Sequence, residues 1–267
     1  MQLPGGLVEN GTRRRDWAFR PLSGALELAL AEAGECAAST PAAVTQALAL
    51  ALDRLGGEAA TPPRVAGLCV GDRQFLMREL DRHLGHEGGW LQAECGHCGA
   101  RFDFRIDYAG LPVQEAGEGY PQAQVDMDGR QLRFRLPTGA DQETLADLPE
   151  AEAPRWLLRQ LADAPEALAP LGQTPGQDLI AAADAALDAI APGIVLRVQT
   201  ACPECGGGNE VELDPYRALA RSSDSLLREV HQIATHYHWS EADILNLPRP
   251  RRQRYLQMID RARGVAE

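Results

Sequence analysis

The chain has 267 residues, with 38 acidic and 26 basic side chains, a formal net charge of −12, and 45% hydrophobic and 24% charged residues. That composition is globular and long enough to bury one elaborated core or two smaller ones, which excludes disordered, collagenous and fibrous classes. The acidity argues against a free-standing nucleic-acid binder, whose affinity comes from neutralising phosphates. Every base is an arginine, so Schiff-base lysine chemistry and a Walker-type phosphate loop are excluded as well.

Residues 1–20 are short of apolar side chains and carry Arg13-Arg14-Arg15, which reads as a mobile arm. The segment Met1–Gly6 lacks the continuous apolar core of a signal peptide. No apolar run reaches eighteen residues; the nearest, 179–195, is broken by Asp184 and Asp188. A cytoplasmic chain without a membrane span is expected, with its six cysteines serving as thiols or metal ligands rather than disulfides. Three amphipathic helices follow. Ser23 caps the first, which ends at Gly34; Thr40-Pro41 opens the second, which Gly56-Gly57 closes; Asp72 caps the third, which stops at Gly85.

From Trp90 the hydrophobic period changes from helical to alternating. Residues 101–107 and 131–136 each alternate polar and apolar side chains, as half-buried strands do. The stretch 141–192 reads as helices rich in Ala, Leu and Asp, and residues 108–200 hold fourteen acids against six bases. Residues 193–200 form another strand, and the alternation resumes over 210–213. The last third is helical: a short helix from Asp214-Pro215, a longer one capped by Ser223, a capping box at Ser240, and a final helix opened by Pro250.

Four cysteines fall in two C-x-x-C pairs, Cys95/Cys98 and Cys202/Cys205, each closed by Cys-Gly and flanked by strands. A tight turn of this kind aims two sulfurs and several amides at one ion, and two such turns supply the tetrahedron of thiolates that zinc favours. The pairs are separated by 103 residues. Pairing of strands 101–107 and 194–200 would bring them together and leave 108–193 as an insertion anchored at the ribbon alone. A thioredoxin-like pair would sit at a helix start, whereas strands follow both pairs here. An iron–sulfur cluster, another thiophilic metal, two separate sites and a metal-free chain are the competing readings. A shell of four thiolates has no open position for water or substrate, so the expected role of zinc is structural. His97 reads as solvated, Cys36 and Cys69 as buried small hydrophobes, and Asp72-Arg73 as a local ion pair. His231, His236 and His238 read as capping and packing residues, and no catalytic constellation is apparent, so no enzyme activity is expected. The helical hairpin at the carboxy terminus reads either as helices with a solvated basic edge or as a docking surface in Tyr237, Trp239, Arg249, Arg251, Arg252 and Arg254, residue types enriched at interface hot spots.

Four segments together resemble the baseplate hub assembly proteins of T-even-type contractile phages and related phage-tail-like injection particles. They are Pro21–Glu27, Val70–Leu76, Leu136–Gln142, and Tyr237-His238-Trp239 with the Arg251–Leu256 helix. The resemblance implies a non-catalytic assembly role with baseplate, hub or spike proteins as partners, and neither a small-molecule substrate nor a membrane. The alternative is a zinc-ribbon module that binds nucleic acid or serves transcription. The expected fold is α+β: a helical protein around a split four-cysteine zinc ribbon (90–107 and 194–213). An amino-terminal arm and helices (1–89), an inserted acidic subdomain (108–193) and a carboxy-terminal helical hairpin (214–267) complete it.

Overall fold

In the computed structural model, which describes residues 1–127, 129–166, 168 and 177–264, the first twenty residues form a β-hairpin and not a mobile arm. Strands β1 (Gln2–Glu9) and β2 (Thr12–Phe19) pair antiparallel around Asn10-Gly11, whose positive φ angles of 50° and 74° suit a two-residue hairpin turn. Few apolar residues are needed, because Leu3 and Trp17 are both buried in the main core. The arginines stay on the sheet: Arg13 donates to Pro4 O at 2.6 Å, and Arg15 pairs with Glu115.

Helix α1 (Gly24–Cys36) starts at Ser23, whose hydroxyl accepts from Leu26 N–H, and runs two residues past the expected stop. Helix α2 (Thr40–Ala51) is capped by Ser39 rather than Thr40, and it ends well before Gly56-Gly57. Residues beyond it form β3 (Leu52–Leu55) and β4 (Glu58–Ala59), with Gly56-Gly57 as their turn at φ 63° and 84°. The four strands make one sheet in the order β1-β2-β3-β4. After α3 (Pro62–Ala66), α4 (Val70–His83) begins behind Cys69, so Asp72 lies inside the first turn instead of capping it. Leu76, Met77 and Leu80 of α4 join Leu48, Leu52, Leu55 and Trp17 in this first core.

Strands β5 (Gly88–Glu94) and β6 (Arg101–Asp107) form an isolated hairpin. The chain then passes through β7 (Val113–Gln114) into the inserted region: β8 (Gln122–Met127), β9 (Arg130–Arg135), α5 (Gly139–Leu145), α6 (Ala153–Leu161) and α7 (Gln177–Ile190). This region has its own core, centred on Phe134, Leu161, Leu179 and Ala183. It returns through β10 (Gly193–Ile194), which pairs with β7 and closes the neck of the insertion. A second isolated hairpin follows, β11 (Arg197–Ala201) with β12 (Gly208–Glu212). The chain ends in a short 3-10 turn (Arg217–Ala220), α8 (Ser223–Tyr237), α9 (Glu241–Leu245) and α10 (Arg249–Ala262). These helices share a third core of Leu226, Val230, Ile233, Ile244, Leu256 and Ile259, with Leu28 of α1 packed against it.

The molecule therefore mixes α and β throughout, and a four-stranded sheet occupies a region read as arm and helices. The inserted region is also held by more than the ribbon. Val70 N–H donates to Pro137 O (3.2 Å), Gly139 N–H to Leu68 O (3.1 Å), and the Tyr120 hydroxyl to Gly6 O (2.6 Å). Between Gln2 and Leu7 the β1–β2 register slips, and the freed Gly5 and Gly6 amides donate to the buried Asp72 carboxylate at 2.7 and 2.6 Å. Burial still pushes the Asp72 carboxyl above its ordinary range, against those two amides. Arg73 does not pair with Asp72; its guanidinium donates to Thr45 Oγ1 (2.8 Å) and Pro41 O (2.7 Å). Gly71 permits the closest approach of all, since a Cβ there would lie 1.8 Å from Pro192 O. One turn of α4 thus clamps the amino-terminal hairpin, α2 and the neck.

Candidate metal centre

The two C-x-x-C turns are built alike. In each, the first cysteine's amide donates across the turn, Cys95 N to Ala100 O and Cys202 N to Gly207 O, both at 2.9 Å. In each, the glycine after the second cysteine donates back, Gly99 N to Cys95 O and Gly206 N to Cys202 O, again at 2.9 Å. Those glycines have φ of 73° and 72°, a left-handed conformation in which a side chain would be strained. Cys95 and Cys202 are buried on a small apolar base of Phe102 and Phe104, while Cys98 and Cys205 face outward.

All four sulfurs lie within 4.8 Å of one another. Cys95 Sγ is 3.7 Å from Cys205 Sγ, and Cys98 Sγ is 3.8 Å from Cys202 Sγ. A regular tetrahedron with metal–sulfur bonds of about 2.3 Å puts its corners about 3.8 Å apart, so the four residues fit one thiophilic ion. The amides of Cys98 and His97 stabilise the Cys95 thiolate and bring that thiol down to about 6. Cys98 accepts from the Ala100 amide, yet its shared hydrogen bonds with Cys205 and Cys95 push it up to about 12. The Cys95 thiolate forms readily while Cys98 holds its proton, so filling the site with a cation displaces protons.

The expected pairing of strands 101–107 and 194–200 is not how the turns meet. β6 pairs with β5, β11 with β12, and the two hairpins form separate two-stranded sheets. They are joined tip to tip. Asn209 Oδ1 accepts from Gly96 N–H at 2.9 Å, while its amide donates to Gly207 O at 2.8 Å. His97, expected to be solvated, is exposed but reaches across to Gly208 O at 3.1 Å. Asn209 was invisible to sequence reasoning; its place one residue into a strand, directly after a glycine turn, carries no distinctive pattern.

Other expected residues fall as follows. Cys69 is buried, and burial pushes its thiol up to about 12, whereas Cys36 is exposed rather than buried. Among the described residues the four cysteines are the only clustered set of three or more ligating side chains, so the three carboxy-terminal histidines build no second centre. His236 instead packs edge-on against Tyr237, and His238 ends α8 in a left-handed conformation. Tyr237, Trp239 and Tyr255 form an aromatic knot with centroid separations of 4.9–5.4 Å.

The arginines do not form one outward row. Arg252 is wholly buried, with Nη2 donating to Glu27 at 2.8 Å and Nε lying 3.4 Å from Glu229. Arg249 is half-buried and donates to Leu84 O at 2.9 Å. Only Arg251 and Arg254 stand exposed. The segments 21–27, 70–76 and 136–142 are likewise internal junctions. Glu27 meets Arg252, Asp72 holds the amino-terminal hairpin, and Asp141 takes a two-pronged bond from Arg135 at 2.6 and 2.8 Å. No family model, curated protein or solved structure matches the chain. Among the described residues, no helix is long and apolar enough to cross a membrane.

Proposed function

We propose that the chain is a non-catalytic assembly protein in which one structural zinc joins two β-hairpins into a single zinc ribbon, split by the inserted region. The observation that carries the structural part is the sulfur spacing, 3.7 and 3.8 Å across the cluster, with no histidine or carboxylate among the ligands. Bound by four thiolates, zinc would act there as a tetrahedral cross-link, because no coordination position is left for water or substrate. Each hairpin alone is a two-stranded sheet, which is marginal in water, and a shared ion offsets that weakness.

The assembly role and its setting, a contractile phage-tail-like particle with baseplate, hub or spike proteins as partners, rest on the resemblance in four segments. Exposed Arg251 and Arg254 beside the aromatic knot supply guanidinium forks suited to acidic partner surfaces. The nucleic-acid reading is weakened by charge. The two hairpins, 88–107 and 197–212, hold six acids against three arginines, so their surface repels phosphate. Co-expression with the tube, spike and hub proteins of a contractile particle is the test. Particles should assemble only when this chain is present, and replacing Arg251 and Arg254 by Ser should reduce co-purification with the partner. Normal assembly in its absence, together with salt-dependent retention on DNA or RNA, would sink this reading in favour of the zinc-ribbon binding module.

A further inference from the structure

We propose that a cleft outside the four-cysteine cluster binds an oxyanion, with Arg221 and Arg249 as its cationic ligands. This inference does not rest on the assembly role. The cleft, of about 230 Å³, is lined by Glu27, His86, Arg221, Ser222, Ser225 and Arg249, among others. It lies where the chain leaving α4 meets the first turn of α8 and the start of α10.

Its charges are unevenly satisfied. Glu27 and Glu229 are drawn onto the buried Arg252, and Asp81 is taken by His86 Nδ1 at 2.7 Å. Arg221 is left with one carboxylate oxygen at 3.8 Å, and Arg249 forms no ion pair among the described residues. Both guanidiniums nevertheless converge on one acceptor: Arg221 Nη2 lies 3.3 Å and Arg249 Nη1 2.9 Å from Leu84 O. Two like charges on one carbonyl repel each other, and Arg221 is held below the ordinary arginine range by burial and by Arg249. Its Nε is buried with no hydrogen-bond partner. An orphaned donor on a half-buried guanidinium, beside a second cation outside any ion pair and an open cleft whose carboxylates Glu27 and Glu229 are drawn onto Arg252, is an arrangement an oxyanion can complete. The Ser222 and Ser225 side chains, of which Ser222 makes no cap bond to the helix, line the same cleft and add hydroxyl donors.

The same chemistry is offered by inorganic phosphate and by a carboxylate side chain of another polypeptide, and calorimetric titration separates them. The whole protein is titrated with sodium phosphate against sodium chloride at equal ionic strength, and in parallel with a short Glu-rich peptide. Saturable one-to-one binding of phosphate identifies a free ion as the ligand; binding of the peptide alone identifies a polypeptide carboxylate. In either case Arg249→Gln should weaken binding at least about tenfold, Arg249→Lys less, and Arg130→Gln, an exposed side chain on β9, not at all. Ser225→Asp guards against a folding defect in the first variant. It places a carboxylate in the first turn of α8, where helices favour acids, and should raise the melting temperature while abolishing binding. Absence of binding by both probes overturns the proposal, as does binding that Arg249→Gln and Ser225→Asp leave unchanged. Normal particle assembly in the absence of this chain, with anion binding intact, would fault the assembly role and leave this site standing.

Discussion

Replacing Arg252 by Ser distinguishes a buried strut from a solvated docking charge. Arg252 is fully buried, donates to Glu27 at 2.8 Å and to Leu247 O at 2.8 Å, and lies 3.4 Å from Glu229. Serine would leave Glu27, which is 7% exposed, with only Arg221 at 3.8 Å and would orphan the Leu247 carbonyl. Removing one member of a buried ion pair costs about 3–5 kcal/mol, because the remaining charge stays desolvated and unpaired. At about 2–4 °C per kcal/mol for a chain of this size, the melting temperature should fall by about 6–20 °C. Arg251→Ser and Arg254→Ser change exposed side chains and should stay within about 0.5 kcal/mol of wild type. Urea unfolding of all three variants measures this. Adding Glu27→Gln to the Arg252→Ser chain removes the stranded charge and should recover about 1–2 kcal/mol of the loss. Equal stability of the three single variants would refute the reasoning, and so would a double variant no more stable than Arg252→Ser.

Cys202→Ser should lose the metal, measured by elemental analysis of protein purified without added zinc, while Cys36→Ser, an exposed residue outside the cluster, should keep it. Limited proteolysis of the metal-free variant should cut first in the hairpins 88–107 and 197–212. The inserted region is tied to α4 and the amino-terminal hairpin by its own bonds, so primary cutting within 122–161 would count against that anchoring. Asn209→Ala removes the bond to Gly96 that joins the two turns and should weaken zinc retention about 10–100-fold in competition with a chelator. Burial alone would raise the Asp141 carboxyl, but the Arg135 fork and the Thr138 amide hold it below the ordinary range. A depressed folded-state value means its contribution is present above the unfolded value of about 3.9 and lost as pH falls through the lower folded one. Asp141→Asn should therefore cost about 1–3 kcal/mol in urea unfolding at pH 7, with the difference from wild type shrinking below pH 4. A difference that is independent of pH would remove that assignment.

The four-cysteine cluster was legible in the sequence because its chemistry is local: each C-x-x-C-Gly turn sets the geometry of its own two sulfurs, whatever surrounds it. The same holds for the Ser23 cap of α1 and the strand alternation at 101–107 and 131–136, where period and capping act within a few residues. Residues 1–20 read as a mobile arm although Asn10-Gly11 suits a hairpin turn, because a count of apolar residues hides a strand whose burial rests on Leu3 and Trp17. What tertiary structure alone decided is which partner each charged side chain meets. Asp72, Arg73 and Arg252 carry sequence patterns indistinguishable from solvated ones, and they became buried struts only because β1, α1 and α2 arrived opposite them. Long-range position likewise decided how the two cysteine turns meet. Nothing within either turn encodes Asn209 facing Gly96, 113 residues away. Local rules fix what a segment can be, whereas desolvation and pairing depend on what the rest of the chain brings to it.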